Sequence, residues 1–206
     1  MPRLGGRRWG FWMAEMRDEI LKTAQAQMSL GGYGNLNFAS IAEALGTTRA
    51  NVHHHFKNKE GLALEVTRQY TMGVLEMAKG MAEDNPGDFK GLIGALEKHI
   101  VDSIRESGKE SACICGQLIK EHDIPESLRE MASGFLKQSD AMLEAAISAA
   151  QDAGNLPKEI DPNKMARVTH AMIIGIDDMA LIFDDRNVAA DYVDGLLTEW
   201  VNHYRA

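Results

Sequence analysis

The sequence predicts an all-α fold of about nine helices, with a three-helix domain at the amino terminus and a larger helical domain after it. Apolar residues recur at steps of three and four along most of its 206 residues, and no alternating pattern typical of strands persists. Clusters of glycine, proline and asparagine interrupt this pattern, as at residues 31–34, 85–87 and 154–157. With 45% hydrophobic and 25% charged residues, the chain has the composition of a globular protein.

Each predicted helix lies between two of these breaks. The first places Ile20, Ala24 and Met28 on one face, which would pack on the two short helices that follow. Near the other end of the chain, Asp161 suits an N-cap and Pro162 suits the first helical turn. In order, the predicted helices cover residues 14–30, 38–45, 49–56, 59–83, 88–106, 112–122, 126–153, 161–183 and 188–205.

The charge is divided unevenly along the chain. Residues 1–60 carry eight Lys and Arg against five Asp and Glu, whereas residues 61–206 carry 14 against 25. A basic amino-terminal quarter on an otherwise acidic chain suggests that this end faces a polyanion. We divide the sequence into a flexible basic arm (1–13), a small domain (14–60) and a large domain (61–206).

Two features bear on the compartment in which the protein works. No stretch approaches the roughly 18 uninterrupted apolar residues that a membrane helix needs, because Asp177 and Asp178 break the longest candidate. Cys113 and Cys115 are separated by one residue, a spacing at which a mutual disulfide would be strained. We therefore expect a protein of the reducing cytoplasm that has no contact with a membrane.

Residues 38–56, FASIAEALGTTRANVHHHF, carry the most chemical information. Two short helices that cross near a right angle need a small residue at their contact, here Ala42, and a turn residue that tolerates positive φ, here Gly46. The pattern predicts a helix-turn-helix. Apolar residues stand where the inside of its angle requires them: Phe38, Ile41, Leu45, Val52 and Phe56.

The amino ends of these two helices are candidate DNA contacts. Asn37 and Thr48 can cap them, and a capped amino end attracts phosphate because its free amides and the helix dipole favour an anion. Arg49 and Asn51 follow in the second helix, and their side chains suit bidentate contacts with guanine and adenine, worth about 1–3 kcal/mol of discrimination each. The segment therefore predicts binding to double-stranded DNA.

Residues 14–62 resemble the DNA-binding domain of the tetracycline-repressor (TetR) family of bacterial regulators. The matching features are Gly32-Tyr33 at the end of the first helix, Ile41-Ala42, Leu45-Gly46, His55-Phe56 and the run KEGL at residues 59–62. The sequence departs from the family at His53, where a phosphate-contacting tyrosine is usual, and at Thr47, where valine is preferred. A histidine can still donate to phosphate, but its contact would depend on pH.

The resemblance and the exposed side of the second helix together imply a set of DNA contacts. These are Asn37, Thr47, Thr48, Arg49, Asn51, His53, His54 and Lys59.

The resemblance also implies a homodimer on a palindromic operator, because two recognition helices must enter major grooves about 34 Å apart. Apolar stripes on the last two helices would form a four-helix bundle across the twofold axis. The expected interface residues are Met172, Ile176, Met179, Phe183, Val193, Leu197 and Trp200.

By the same resemblance, the central helices enclose a cavity for a small-molecule effector, whose binding would tilt the long helix that starts at Lys59 and release the DNA. No cofactor is expected. The candidate lining residues are apolar or weakly polar: Met72, Leu96, Ile100, Cys113, Gln117, Phe135, Met142 and His170.

A redox or electrophile sensor is an alternative regulator. Cys113 and Cys115, with His122 nearby, could act through a thiolate of low pKa or bind a soft metal. The simpler interpretation is that both cysteines pack as small apolar residues, since no Lys or Arg lies within a few residues on the same face.

A helical metal-dependent enzyme is the alternative from another class. The histidines at residues 53–55 are consecutive, so they diverge by about 100° per residue and cannot converge on one ion. The acidic residues Asp177, Asp178, Asp184 and Asp185 are interpreted as a solvated or interface charge cluster, because no phosphate-binding loop or nucleophile motif accompanies them. We therefore expect no enzyme and no metal site.

Overall fold

The computed structural model describes the backbone of residues 6–204 and the side chains of residues 15–204. Within that part of the chain, every regular element is a helix, and one short 3₁₀ helix, Gly108–Ser111, lies between α5 and α6. The all-α prediction is confirmed. The α-helices are α1 (Gly6–Asn35), α2 (Phe38–Ala44), α3 (Arg49–His55), α4 (Lys59–Asp84), α5 (Phe89–Ser107), α6 (Ile114–Lys120), α7 (Glu126–Asp152), α8 (Pro162–Ala180), α9 (Arg186–Val193) and α10 (Leu196–Asn202).

The first helix begins earlier than the sequence suggests. It starts at Gly6, so most of the predicted arm is helical, and residues 1–5 of that arm lie outside the described residues. No proline follows Pro2 in this segment, so nothing stops the helix from extending toward the amino terminus. Helical backbone angles end at Gly31 and Gly32, where the chain turns as the sequence predicts; Gly32 has φ +64°, which favours glycine.

The predicted last helix is two helices. Gly195 has φ +84° and separates α9 from α10. The amino end of α10 is held from a distance of about a hundred residues along the chain, because the buried carboxylate of Glu97 on α5 accepts from the amides of Leu197 (2.6 Å) and Thr198 (3.2 Å) and from the Thr198 hydroxyl. Free amides at a helix start need such acceptors.

The interior consists of two hydrophobic clusters. The first joins the three amino-terminal helices to the start of α4, to α6 and to the first part of α7, where Leu128 and Phe135 are buried. The second joins α5, the last part of α7 and α8 to α10, and it includes Ile147. Because α7 contributes side chains to both clusters, this one helix connects the two hydrophobic clusters.

Candidate DNA-binding surface and effector cavity

Two N-caps and a glycine shape the helix-turn-helix. Asn37 Oδ1 accepts from the amides of Ala39 (2.8 Å) and Ser40 (3.3 Å), and Thr48 Oγ1 accepts from the amide of Asn51 (3.1 Å). Both predicted caps are confirmed. Gly46 has φ +58°, in the left-handed region that the turn requires.

The helix-turn-helix packs around its predicted apolar residues. Ile41 and Val52 are fully buried, and Phe38 and Phe56 are 6% exposed. On the outside of α3, Thr48, Arg49, His53 and His54 are exposed. The fold therefore offers these four side chains to a partner while the inner face holds the domain together.

Three of the predicted contact residues also have partners inside the protein. Asn51 Nδ2 donates to Thr47 Oγ1 (3.0 Å), and both residues are half-buried. Lys59 Nζ donates to the carbonyl of Gly34 (3.2 Å) and lies 4.5 Å from the centre of the Tyr33 ring. These side chains already stabilise the domain, so any DNA contact by them adds to a structural role.

His53 and His55 have different surroundings. The His53 ring lies 4.7 Å from the Phe38 ring, which orients an otherwise exposed imidazole. His55 is half-buried, and its Nε2 has no hydrogen-bond partner. Burial lowers the pKa of His55, and the neighbouring His54 and Arg17 lower it further. The three consecutive histidines thus differ in their exposure and in their contacts.

Gln27 and Glu121 position the helix-turn-helix, and the sequence analysis did not identify either of them. Gln27 Nε2 donates to Ser40 Oγ (2.8 Å), and its Oε1 accepts from the Asn37 amide (2.9 Å). Glu121, just after α6, accepts from the amides of Tyr33 (2.5 Å) and Gly34 (2.8 Å). No motif marks such long-range pairs.

A cavity of about 160 Å³ lies among α4, α5, α7 and α8, with Ser111 and Cys113 closing one side. Six of the residues predicted to bind an effector line this cavity: Leu96, Ile100, Cys113, Phe135, Met142 and His170.

Two lining predictions are wrong. Met72 is 58% exposed and lies on the outer face of α4, two positions from Tyr70, which does line the cavity. Gln117 on α6 is buried and does not line the cavity. A helix turns by about 100° per residue, so a phase error of two positions moves a side chain to the opposite face.

The polar groups of the cavity are few, and one of them is acidic. Asp177 lines the cavity together with His170, Ile173 and Ile174, which share its face of α8 at helical spacing. Burial and, to a smaller extent, the nearby Asp178 carboxylate raise the pKa of Asp177 to about 7. The prediction that Asp177 belongs to a solvated or interface charge cluster is therefore wrong.

The other members of that acidic cluster have separate roles at the surface. Asp178 pairs with Lys120 (2.6 Å), Asp184 pairs with Lys109 (2.8 Å), and Asp185 caps α9.

His170 and the cysteines complete the polar lining and its surroundings. His170 Nδ1 lies 2.7 Å from Asp140 Oδ1, and the ring meets Phe135 edge-on. Burial raises the pKa of both the Cys113 and the Cys115 thiols. This argues against the alternative in which these cysteines sense electrophiles through a thiolate of low pKa.

The predicted interface stripes lie partly in the interior. Val193 and Leu197 are fully buried and Ile176 is 5% exposed, so these three cannot form an outer surface. Val193 and Leu197 belong to two different helices, α9 and α10, and both pack inside the second hydrophobic cluster. Met172, Phe183 and Trp200 are half-buried. The exposed large apolar residues of this region are Val168, Met179, Ile182, Val188, Tyr192 and Leu196.

Among residues 15–204, no three or more His, Cys, Asp or Glu side chains come together in a way that could hold a metal ion. In the described part of the chain, none of the helices has the length and apolar character needed to cross a membrane.

Comparison with known proteins agrees with this geometry. Residues 20–66 match the family described as "Bacterial regulatory proteins, tetR family", and residues 93–196 match "Tetracyclin repressor-like, C-terminal domain". The HTH-type transcriptional repressor AcnR of Corynebacterium jeikeium is 32% identical over 84 residues, which are 41% of this chain and 40% of AcnR. The chain therefore aligns with about two fifths of that relative's length.

Two other proteins match over nearly the whole chain. The HTH-type transcriptional regulator AcrR of Shigella flexneri is 23% identical over 89% of this chain and 88% of its own length. The crystal structure of a TetR-family regulator from Agrobacterium tumefaciens superposes with a TM-score of 0.83 at 21% identity, over 94% of this chain and all of that one.

A helix-turn-helix at one end and a cavity among helices at the other define the class of protein: a DNA-binding transcriptional regulator. The two family matches together span more than half of the sequence, and the chain belongs to the TetR family of bacterial regulatory proteins.

Proposed function

We propose that the chain is a repressor that binds a palindromic operator as a homodimer and leaves it when a small molecule fills the cavity. One observation carries the proposal: a single helix, α4, starts beside the DNA-binding surface and lines the cavity. It begins at Lys59, directly after α3, and Tyr70, Val74 and Leu75 line the cavity about three to four and a half turns later. At 26 residues it is about 39 Å long.

A second connection supports the same coupling. The short helix α6 starts after Cys113, which lines the cavity, and ends before Glu121, which accepts from the amides of Tyr33 and Gly34. A ligand that displaces either α4 or α6 would change the position of the helix-turn-helix. A nearly complete switch requires about 5.5 kcal/mol of preference for the released conformation.

The DNA contacts belong to the same proposal. Exposed Arg49 is the strongest candidate for base recognition because it lies at the amino end of α3, and Thr48 caps that end next to the phosphates. Exposed Asn37, His53 and His54 would contact the DNA backbone. Half-buried Thr47, Asn51 and Lys59 complete the proposed surface.

We further propose that the dimer forms through α8, α9 and α10. Their exposed apolar side chains are unusual for a free surface; Ile182 is 78% exposed and Tyr192 is 50% exposed. Met179, Met172, Phe183 and Trp200 would pack at the rim of this surface. The protein would work in the cytoplasm, where bacterial DNA lies, and without a catalytic role.

The test is DNA binding to the region upstream of the protein's own gene, measured by fluorescence anisotropy. Arg49→Ala should weaken binding by about 1–3 kcal/mol, which is roughly fivefold to 150-fold. Lys137→Ala removes one exposed positive charge from α7 and serves as the control, with unchanged affinity. Equal affinity of the wild type and Arg49→Ala on a selected operator would contradict the proposed recognition.

A further inference from the structure

One wall of the cavity carries a carboxyl group that has no ion-pair partner. Asp177 faces the cavity from α8. Two basic groups of this region are engaged elsewhere: Lys120 pairs with Asp178 at 2.6 Å, and His170 pairs with Asp140 at 2.7 Å. Within residues 15–204, no lysine, arginine or histidine forms a salt bridge with Asp177. A positive partner stabilises an ionised carboxylate in this position, and none of the side chains of residues 15–204 forms an ion pair with it.

The rest of the lining favours an apolar molecule. No lysine or arginine lies among the described lining residues, and the imidazoles of His99 and His170 are the basic groups there. The Tyr70 and Phe135 rings lie 6.4 Å apart on the cavity wall, which suits them to contact a cation as well as an apolar ring. The cavity lining is therefore mostly apolar, and the acidic Asp177 shares it with the aromatic rings of Tyr70 and Phe135.

The protonation state of Asp177 follows from its neighbours. Burial and the Asp178 carboxylate raise its pKa to about 7, whereas the Cys113 amide and Lys120 oppose this rise. From α4, Tyr70 also faces this group, and burial together with Cys113 raises the pKa of the Tyr70 hydroxyl. In the empty cavity near neutral pH, the carboxyl is thus about half protonated, and a bound cation would shift it to the ionised form.

We propose that the effector is a lipophilic amine whose ammonium group pairs with Asp177 and whose apolar body lies among Leu96, Ile100 and Met142. The inference rests on the proposed function in one respect: it takes the cavity to be the effector site. Binding transfers the carboxyl proton of Asp177 to the buffer, and the protonated amine then forms an ion pair with the carboxylate.

The size of the cavity limits the amine. A cavity of about 150 Å³ admits a benzene ring, and this one measures about 160 Å³. A molecule with one aromatic ring and a short chain fits, so the probe is 4-phenylbutylamine. Its matched controls are 4-phenylbutan-1-ol and 4-phenylbutanoate, which keep the ring and chain and replace the cation by a neutral group or an anion.

Binding of the three probes to the full chain is measured by isothermal titration calorimetry at pH 8. The amine should bind at least about tenfold more tightly than the alcohol, because a charge-assisted hydrogen bond is stronger than a neutral one. The carboxylate should bind more weakly still. Asp177→Asn should remove the preference for the amine and leave the alcohol within about threefold, whereas Asp178→Asn, on the adjacent position, should keep that preference.

The dependence on pH gives an independent measurement on the wild type. Binding of the amine requires ionised Asp177, and the pKa of Asp177 is about 7. The affinity for the amine should therefore fall about tenfold from pH 8 to pH 6, while the affinity for the alcohol changes little. At pH 7, titrations in phosphate and in Tris should reveal release of about half a proton for each amine bound. Asp177→Asn should abolish both effects.

The melting temperature shows whether the Asp177→Asn variant is folded. A carboxyl whose folded pKa is raised stabilises the fold below its unfolded pKa and loses that contribution as the pH rises through about 7. The variant should therefore melt at or above the wild-type temperature at pH 8. Equal binding of amine and alcohol by the wild type, no binding of the amine, or an unchanged preference in Asp177→Asn would each overturn the proposal.

The two proposals fail separately. If the amine binds through Asp177 but the operator complex persists, the ligand class stands and the release mechanism is wrong. If another molecule that occupies the cavity releases the operator while the amine does not bind, the repressor function stands and the ligand class is wrong.

Discussion

The amino-terminal helix-turn-helix and the carboxyl-terminal cavity region are stabilised in different ways. In the helix-turn-helix, the contacts that cap its two helices are local: Asn37 and Thr48 bond to amides two or three positions away. In the cavity region, the decisive contacts join distant parts of the chain, as when Glu97 holds the start of α10. The comparison teaches that a motif can be identified from sequence when its contacts are local.

The largest expected effect is in the cavity region. Glu97→Ala removes the buried acceptor of two α10 amides and a hydroxyl, so the free energy of unfolding should fall by about 3 kcal/mol. Chemical denaturation with urea measures it. Glu106→Ala, an exposed glutamate on the same helix, is the control and should change stability by less than about 0.5 kcal/mol.

Equal stability of these two variants would mean that the start of α10 does not depend on Glu97. The comparison between local and long-range stabilisation would then fail on its strongest example.

An intermediate effect is expected where the two regions meet. Glu121→Ala removes the acceptor of the Tyr33 and Gly34 amides, which should cost about 1–2 kcal/mol of stability. Because this contact joins α6 to the helix-turn-helix, the variant should also respond less to an effector. Operator release, measured as a function of effector concentration, tests this.

Asp123→Ala is the matched control for Glu121, since Asp123 is exposed and lies two positions further along. If both variants release the operator like the wild type, α6 does not transmit the signal, and α4 alone remains as the connection.

The smallest effect is expected at a local cap. Asn37→Ala should lower stability by about 1 kcal/mol because the first amides of α2 lose their acceptor. Asn37→Ser keeps a capping oxygen and should restore most of the loss. Thermal unfolding measures stability, and anisotropy on the operator measures DNA binding; a Ser variant that is stable but binds DNA weakly would assign Asn37 a DNA contact beyond its cap.

The accuracy of the sequence predictions follows the same division. Phe38, Ile41, Val52 and Phe56 are buried as predicted, because the spacing of apolar residues around Gly46 allows one compact arrangement of two short helices. For the cavity, periodicity identified six lining residues but misplaced Met72, since nothing in the sequence sets the rotation of a long helix that packs on several neighbours.

The helical spacing of Asp177 is a signal in the sequence that places this residue in the cavity. Asp177 follows His170 by seven positions and Ile173 by four, so it lies on the same face of α8 as two cavity residues. Grouping it with Asp178, Asp184 and Asp185 by proximity in sequence obscured this. Only the structure separates one carboxyl that faces the cavity from three that face solvent or cap a helix.

The sequence by itself determined the helical class, the position of the helix-turn-helix and its caps, because these depend on periodicity and on hydrogen bonds between near neighbours. The tertiary structure decided the break at Gly195, the contact of Glu121 with the end of α1 and the position of Asp177 in the cavity. Those features depend on which side chains meet across helices far apart in the chain, and pairings of that kind leave no periodic trace in the sequence.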